Sequence, residues 1–299
     1  MDYIHSETIS KFAGALRKKG KRPATVESYC RDVSRFSSFL IEKEIRFRQV
    51  DRDVLFSFEN FLRVSLSEKE NSVRRSMIGV RQFFRFLKEE ISESFLSVEY
   101  VPIPERKDVV PSVFEEKDIL RLIHMAERGR PDIKAARDAA IIALLSFEGV
   151  KANELVMLRW SDFLGDAKGG TLKIFGVRER AISLSEAATK ALLHYRELYT
   201  NAKHPAFLKA GEKKIFIAFK GREILTPIPS LTRHGLKFLL YELGEKAGIE
   251  GLTTEKLRHY SISRFLVHGK SPEYIMKHLG LKRKGNVTKH LTILRAKTK

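Results

Sequence analysis

The 299-residue sequence predicts a mainly α-helical fold with a small β-sheet, divided between two domains. Apolar residues recur at helical spacing along most of the chain, which is typical of amphipathic helices that pack on a core. Three prolines and mixed charges interrupt that spacing at residues 99–112, which indicates a linker. Downstream of it, apolar residues alternate around a charged turn at residues 171–184, which predicts a short β-hairpin.

The N-terminal domain, residues 1–104, is predicted to contain only helices, at residues 6–19, 23–42, 51–66 and 72–91. Ser72 is the predicted N-cap of the last helix. The apolar face of that helix comprises Val73, Met77, Val80, Phe84 and Leu87. Its opposite flank carries Arg74, Arg81, Arg85 and Lys88. A basic stripe of this kind fits a DNA groove, but a solvated helix face gives the same spacing, and the sequence leaves both interpretations open.

The C-terminal domain, residues 113–299, follows a linker at residues 105–112 and has a mixed pattern. The predicted hairpin lies in its first half, and helices account for most of the rest. These helices are predicted at residues 115–128, 132–147, 150–159, 185–199, 228–247, 253–268 and 271–279.

Net charge points to a polyanionic partner. The chain has 56 Lys and Arg against 37 Asp and Glu, a formal charge of +19, and its 43% hydrophobic content excludes a disordered basic tail. Residues 1–105 carry +3 of this charge and the remainder +16. Eight Lys or Arg and no acidic residue follow Tyr274, and they include Lys282, Arg283 and Lys284. This run is either a phosphate-contacting surface or a solvated tail.

Several classes of protein are disfavoured by the composition. A single cysteine, Cys30, excludes an intramolecular disulfide and a multi-thiolate metal site. No glycine-rich phosphate loop occurs, and His259 and His268 are too far apart for a helical metal pair, so we expect no metal, cofactor or small-molecule substrate. Without a membrane-length apolar run or a secretory leader, a cytoplasmic protein that does not enter membranes is expected.

Three segments carry a family resemblance: EGVKANELVMLRWSDF at residues 148–163, TTEKLRHYSISRFLVHG at 253–269 and IMKHLGLKRKGNVTKHLTIL at 275–294. Their order and spacing, with the hairpin between the first two, resemble the catalytic domain of the tyrosine recombinase family, the phage integrases, which includes the Xer-like proteins. The N-terminal domain resembles that family's SAM-like, core-binding domain. The resemblance therefore covers nearly the whole chain.

The resemblance implies a specific chemistry. In the family, a Tyr hydroxyl attacks a DNA phosphodiester, two Arg and a His neutralise the developing charge, and a hairpin Lys protonates the departing oxygen. Matched to the family's motifs, this chain departs at most of the catalytic positions. The matching residues are Lys151 for the first Arg, Arg178 in the hairpin, Glu255 for the first His, Arg258 for the second Arg, Leu281 for the second His and His290 for the Tyr.

Arg258 is the only phosphate-clamping Arg that matches unchanged, and Glu154 matches an acidic residue of the first motif. The hairpin also contains Lys173 and Arg180, and the resemblance leaves open which hairpin residue corresponds to the family's Lys. An Arg there would be a poor acid because its pKa stays above ~12.

The replacement of Tyr by His290 is the most consequential departure, because no Tyr occurs after Tyr274. Loss of one transition-state donor typically costs ~10²- to 10³-fold in rate, and here the covalent route is missing as well. A phosphohistidine at His290 would be an unusual intermediate. A relocated nucleophile, Tyr260 or Tyr274, is the alternative.

We therefore expect a DNA-binding protein, without strand cleavage, in a regulatory, architectural or accessory role at specific sites. It would clamp double-stranded DNA and be nucleoid-associated. On DNA it would act alone, with further copies of itself, or with an active recombinase. An active recombinase with a rebuilt site is the rival hypothesis. The expected DNA contacts are Arg74, Arg81, Arg85, Lys151, Lys173, Arg178, Arg258, Lys282, Arg283 and Lys284.

Overall fold

The structure is a computed structural model that describes residues 3–90, 100–107, 113–127, 132–176, 178–202, 214–220 and 226–297. The chain forms two compact units, Met1–Val109 and Val110–Lys299. Helices dominate the described residues of both units, and the strands form two small sheets in the second unit. The predicted mainly α-helical fold with a small sheet is confirmed.

The N-terminal unit is built from four helices: α1 (Ser6–Lys18), α2 (Pro23–Glu42), α3 (Arg52–Val64) and α4 (Glu70–Glu90). Its core is rich in phenylalanine, and rings meet edge to face, as in the pair Phe12 and Phe83 with centroids 5.4 Å apart. Asp51 caps α3, because its carboxylate accepts a hydrogen bond from the Val54 N–H at 2.9 Å.

Helix α4 buries the predicted apolar face, from Val73 to Leu87, with every one of its five side chains at most 4% exposed. The predicted N-cap is wrong: α4 begins at Glu70, and the Ser72 N–H already donates to the Lys69 carbonyl at 2.7 Å. An acidic first turn is stabilised by the positive end of the helix dipole, so Glu70 extends the helix beyond the point where the apolar spacing starts.

The C-terminal unit packs its elements around one large apolar core. Helix α6 is buried on every side, whereas the other long helices bury one face. The elements are α5 (Glu116–Glu127), α6 (Ile133–Ser146), α7 (Ala152–Leu155), β1 (Phe163–Asp166), β2 (Gly169–Ile174), β3 (Arg180–Ser183), α8 (Glu186–Asn201), β4 (Ala218–Lys220), β5 (Thr226–Ile228), α9 (Arg233–Ala247), α10 (Thr254–Val267), α11 (Pro272–Leu279) and α12 (Gly285–Lys297).

The predicted hairpin is present as strands β2 and β3, which pair antiparallel with Leu172 opposite Ile182 and Ile174 opposite Arg180. Strand β1 adds to the other edge of β2, and β4 pairs with β5 in a second sheet. The sequence did not predict β1, β4, β5 or α12. Each of these strands has at most four residues, too few for a pattern of alternation to be distinctive.

The predicted helix at residues 150–159 is mostly wrong, because only Ala152–Leu155 is α-helical. Beyond it the chain turns into an extended segment, where the Leu158 carbonyl accepts a hydrogen bond from the Ile215 N–H at 3.0 Å. The Arg159 N–H donates to the Asp162 carboxylate at 2.8 Å instead of to a helical carbonyl. These tertiary and capping bonds outcompete the helix that the apolar spacing suggested.

Within the described residues, no helix has the length and apolar character needed to cross a membrane.

Candidate functional site

Glu154, on the short helix α7, is bonded to two cationic side chains. Its oxygens accept hydrogen bonds from both terminal nitrogens of Arg180 at 3.0 and 2.9 Å, which is the bidentate geometry that suits a guanidinium. Lys151, just before α7, donates its backbone N–H at 3.0 Å and its Nζ at 3.1 Å to the same carboxylate. The first Arg position of the motif is thus occupied by a lysine whose charge is already partly balanced.

Burial distinguishes the two cations. The Arg180 side chain is 7% exposed, and the Lys151 side chain is 42% exposed. Burial raises the pKa of the Glu154 carboxyl, but the hydrogen bonds from Arg180 and Lys151 outweigh it, so the pKa lies below its ordinary value. Glu154 is therefore ionised at neutral pH, and only Lys151 offers substantial cationic surface to solvent.

Hydrogen bonds connect the hairpin to the end of α11 and to the turn that follows it. Arg178 donates to the Leu281 carbonyl at 2.7 Å, and Arg180 donates through Nε to the His278 carbonyl at 2.7 Å. The turn passes through Gly280, which has a φ of +60°, and a Cβ there would lie 3.1 Å from an Arg180 terminal nitrogen. These bonds bring the hairpin turn beside the exposed side chains of Lys282, Arg283 and Lys284.

Arg258, the matched second Arg, lies in the interior of the unit. It is 4% exposed, and its two terminal nitrogens donate to the Gly149 carbonyl and, at 2.7 Å, to the Leu279 carbonyl. Gly149 has a φ of +60°, and a Cβ there would lie 2.3 Å from Ser261 Oγ, so only glycine fits this turn. Arg258 thereby joins the segment before α7, helix α10 and the end of α11.

His290 lies on α12 and is fully buried, with no exposed surface. Both ring nitrogens have partners: Nε2 is 3.0 Å from Nδ1 of His259, and Nδ1 is 2.9 Å from the Ser263 hydroxyl. Burial, together with the neighbouring His259, lowers the pKa of His290 to about 4. The imidazole that replaces the family's Tyr is neutral at pH 7 and is held between α10 and α12.

Glu255 and Leu281 fill the two matched His positions without offering a donor. The Glu255 side chain is 74% exposed, and its carboxylate lies 3.9 Å from Nε2 of His259. Burial lowers the pKa of His259 despite this carboxylate. Leu281 packs against the small apolar cluster between α10, α11 and α12.

A second polar group was missed by the sequence analysis. The buried side chains of Glu148 and His278 meet at 3.2 Å between Oε2 and Nε2, and Glu148 also accepts the Ser185 N–H at 2.8 Å. On the other side of the imidazole, Nδ1 lies 3.4 Å from the Tyr274 hydroxyl. Neither Glu148 nor His278 matches a motif position, so only their proximity in the fold reveals the group.

The basic side chains of α4 lie in different environments. Arg74 donates to the Pro104 carbonyl, Arg81 is partly buried beside residues 100–103, and Arg85 and Lys88 are exposed. In the C-terminal unit, Lys173 lies on the exposed face of β2, opposite Ala181 of β3. Lys151, Arg178 and residues 282–284 thus share one region, whereas Arg258 is buried and Lys173 is on the outer sheet face.

The described ranges contain no group of three or more His, Cys, Asp or Glu side chains placed to hold a metal ion.

The fold and the spacing of the three motif segments are those of an integrase-type protein. Residues 112–293 match the sequence profile of the Phage integrase family, and residues 9–91 match that of the Phage integrase N-terminal SAM-like domain. The first match spans more than half of the chain, so the chain belongs to the phage integrase family.

Within that family, the chain is similar to the tyrosine recombinase XerD of Halalkalibacterium halodurans, with 26% identity over 88% of this chain and 85% of the relative. Among solved structures it resembles XerH site-specific recombinase bound to a palindromic difH substrate, with a TM-score of 0.72, 12% identity and coverage of 99% and 88% of the two chains. It also resembles lambda integrase (residues 75–356) bound to DNA, with a TM-score of 0.62, 16% identity and coverage of 91% and 90%. At these identities the structural likeness concerns the fold.

Proposed function

We propose that this protein binds double-stranded DNA at specific sites and does not cleave it through position 290. The observation that carries the proposal is His290 itself: it is buried, neutral at pH 7 and bonded at both ring nitrogens. A nucleophile needs an accessible atom with a free lone pair, and this imidazole offers neither.

The two matched Arg positions support the same conclusion. Arg258 is bonded to two backbone carbonyls, and Lys151 is paired with Glu154, so neither presents a free planar fork to a phosphate. Lys151 and Glu255 also place a single positive and a single negative charge where the family has Arg and His. Stabilisation of a pentacovalent phosphate would be weak here.

DNA binding is supported by the charge that remains accessible. Residues 106–299 carry +16, and Lys282, Arg283 and Lys284 are exposed beside the hairpin turn that Arg178 fastens to Leu281. The relatives' names also connect this family with recombination, and the XerH and lambda integrase structures hold DNA. A regulatory, architectural or accessory role at a DNA site, with or without an active recombinase, fits a protein that keeps the cations and lacks the nucleophile.

A salt titration of duplex binding tests this proposal. Neutralising two cations in K282Q/R283Q should weaken affinity and reduce the slope of log K against log salt by about 2, since each lost phosphate contact changes it by about 1. The matched control is K190Q, which removes an exposed lysine that pairs with Glu186 on α8. Equal effects of both variants, or binding that does not change with salt, would contradict the proposed interface.

A second candidate function is strand cleavage by a relocated Tyr274, and one observation favours it. Oε2 of Glu148 lies 3.2 Å from Nε2 of His278, and in the tautomer that donates Nε2–H to this carboxylate the Nδ1 lone pair of His278 faces the Tyr274 hydroxyl. This is the order of orienting acid, base and nucleophile that activates hydroxyl groups. Tyr274 is 38% exposed, whereas Tyr260, the other candidate, is 5% exposed.

A nicked suicide substrate that carries the DNA site bound by the protein distinguishes the two candidate functions. Absence of a covalent protein–DNA adduct, with duplex binding intact, supports the binding protein. An adduct that forms with the natural sequence and with Y260F, and is lost with Y274F, supports the relocated nucleophile instead. The burial of Tyr274 and the nearby Glu148 raise the pKa of the Tyr274 hydroxyl, so such an adduct would form faster at alkaline pH.

A further inference from the structure

The N-terminal unit contains a pocket of about 330 Å³ between α3, α4 and the segment of residues 100–103. Arg52 and Phe56 of α3 and Arg81 of α4 form two of its walls, and Tyr100 begins the third. The volume is at the lower end of the ~300–1,000 Å³ typical of small-molecule sites, which is larger than a bare phosphate needs.

Of the described residues that line this pocket, two are arginines, Arg52 and Arg81, and none carries a carboxylate. Among the described residues, Nε of Arg81 is buried and has no hydrogen-bond partner. A buried donor on a charged group is unfavourable unless it is satisfied, so Arg81 retains an unpaired donor in a side chain that lines the pocket. The pocket therefore fits a ligand that carries a phosphate or a similar anionic group.

Aromatic surface lies beside these cations. Tyr100 is 56% exposed and Phe56 is 44% exposed, and the Arg52 guanidinium already stacks over the Phe56 ring at 5.3 Å. The segment that carries Tyr100 is anchored, because Val101 is buried in the core and Arg74 donates to the Pro104 carbonyl. An exposed ring in a fixed position is a platform on which a planar base can stack.

We propose that this pocket binds a nucleotide, with its phosphate between Arg52 and Arg81 and its base against Tyr100. Two cations and an aromatic platform in one pocket match the two ends of a nucleoside monophosphate. The lining residues belong to the N-terminal unit, whereas Lys282 and Arg283, the cations changed in the test of duplex binding, belong to the C-terminal unit. The pocket has no glycine-rich loop, so no sequence motif marks it. The nucleotide is either free or an unpaired nucleotide of a DNA strand, since both present the same phosphate and base.

Calorimetric titration of the full chain with dAMP tests the proposal. We expect saturable binding of one dAMP per chain, with deoxyadenosine and inorganic phosphate each at least about tenfold weaker because each lacks one half of the recognised group. R81Q and R52Q should each weaken dAMP binding by about tenfold or more through loss of a charge-assisted contact. The matched control is R31Q, which changes an exposed arginine on α2 that does not line the pocket.

Several results would overturn the site. They are the absence of saturable dAMP binding, binding of deoxyadenosine as tight as that of dAMP, and equal weakening by R31Q and R81Q. Arg52 is exposed at the first position of α3, so R52Q keeps the test valid even if R81Q disturbs the fold.

Competition distinguishes the two sources of the nucleotide. Displacement of dAMP by a 5′-phosphorylated single-stranded oligonucleotide, and not by a blunt duplex, supports an unpaired nucleotide of a strand as the ligand. Lack of displacement by either, with dAMP bound, supports a free nucleotide. Duplex binding measured on the same preparation reports separately on the proposed function, which can fail while the pocket stands.

Discussion

The arginine half of the candidate site, Arg180 and Arg258, differs from its histidine half, His259 and His290, in how each satisfies its polar groups. The arginine half holds permanent charges against a buried carboxylate and backbone carbonyls. The histidine half holds neutral rings against each other and against a serine hydroxyl. In both halves, side chains of types suited to phosphate chemistry form hydrogen bonds inside the C-terminal unit. The contribution of the arginine half to stability depends on its hydrogen-bond partners, and the contribution of the histidine half depends on pH.

The largest expected effect is in the arginine half. R180M leaves the carboxylate of Glu154, whose side chain is 12% exposed, without its main partner. Unfolding in urea should show a loss of about 3–5 kcal/mol, which is typical when one member of a buried ion pair is removed. The double variant R180M/E154M should recover part of that loss. A loss below about 1 kcal/mol in R180M would contradict the claim that this pair is structurally important.

The histidine half should respond to acid. The pKa of His290 is about 4 in the folded chain against an ordinary value of 6.5, so the unfolded chain binds the proton at a higher pH. Its contribution is therefore complete above pH 6.5 and is lost as the pH falls towards 4, by at most about 3 kcal/mol at 1.36 kcal/mol per unit.

Urea unfolding at several pH values would measure this effect. H290Q should have a flatter dependence than the natural sequence between pH 6.5 and 4, because its side chain does not titrate. H268Q is the control, since His268 is exposed and its Nδ1 contacts the Arg264 carbonyl within its own helix. An unchanged slope in H290Q would show that His290 is solvated in the folded protein.

The smallest expected effect concerns the other cation on Glu154. Lys151 contacts the same carboxylate as Arg180 but is 42% exposed, so K151M should lower the free energy of unfolding by less than about 1 kcal/mol. Both variants remove one positive charge from one carboxylate, and R180M also removes a buried bidentate contact and the bond to the His278 carbonyl, so R180M should lose more stability. Equal losses in the two variants would contradict this expectation.

Sequence reasoning predicted the long helices and the hairpin, because their apolar spacing extends over many residues. It predicted poorly where local bonds decide the structure: Ser72 is not a cap, and most of residues 150–159 are not helical. The short strands β1, β4 and β5 pair with strands nearby in the sequence, but each has at most four residues, too few for an alternating pattern to be distinctive.

For the site, the sequence identified the positions and the structure supplied their surroundings. Motif spacing led to Arg258 and His290, but an exposed Arg and a buried Arg are identical in sequence. The pair of Glu148 and His278 is 130 residues apart and matches no motif. Likewise, the pocket of Arg52, Arg81 and Tyr100 gathers residues from three separate segments. A sequence can indicate that a residue type is present, but only the fold decides which groups meet.

Because His290 is buried, its chemical reactivity measures how often helix α12 opens. A histidine-selective acylating reagent attacks the neutral imidazole only when a ring nitrogen is accessible. Exposed His268 should therefore react at once, and His290 only when α12 leaves its place on α10. The rate of the slow reaction, followed by mass spectrometry, would give the free energy of that opening, and a change on adding DNA would show whether the ligand holds the C-terminal helix in place.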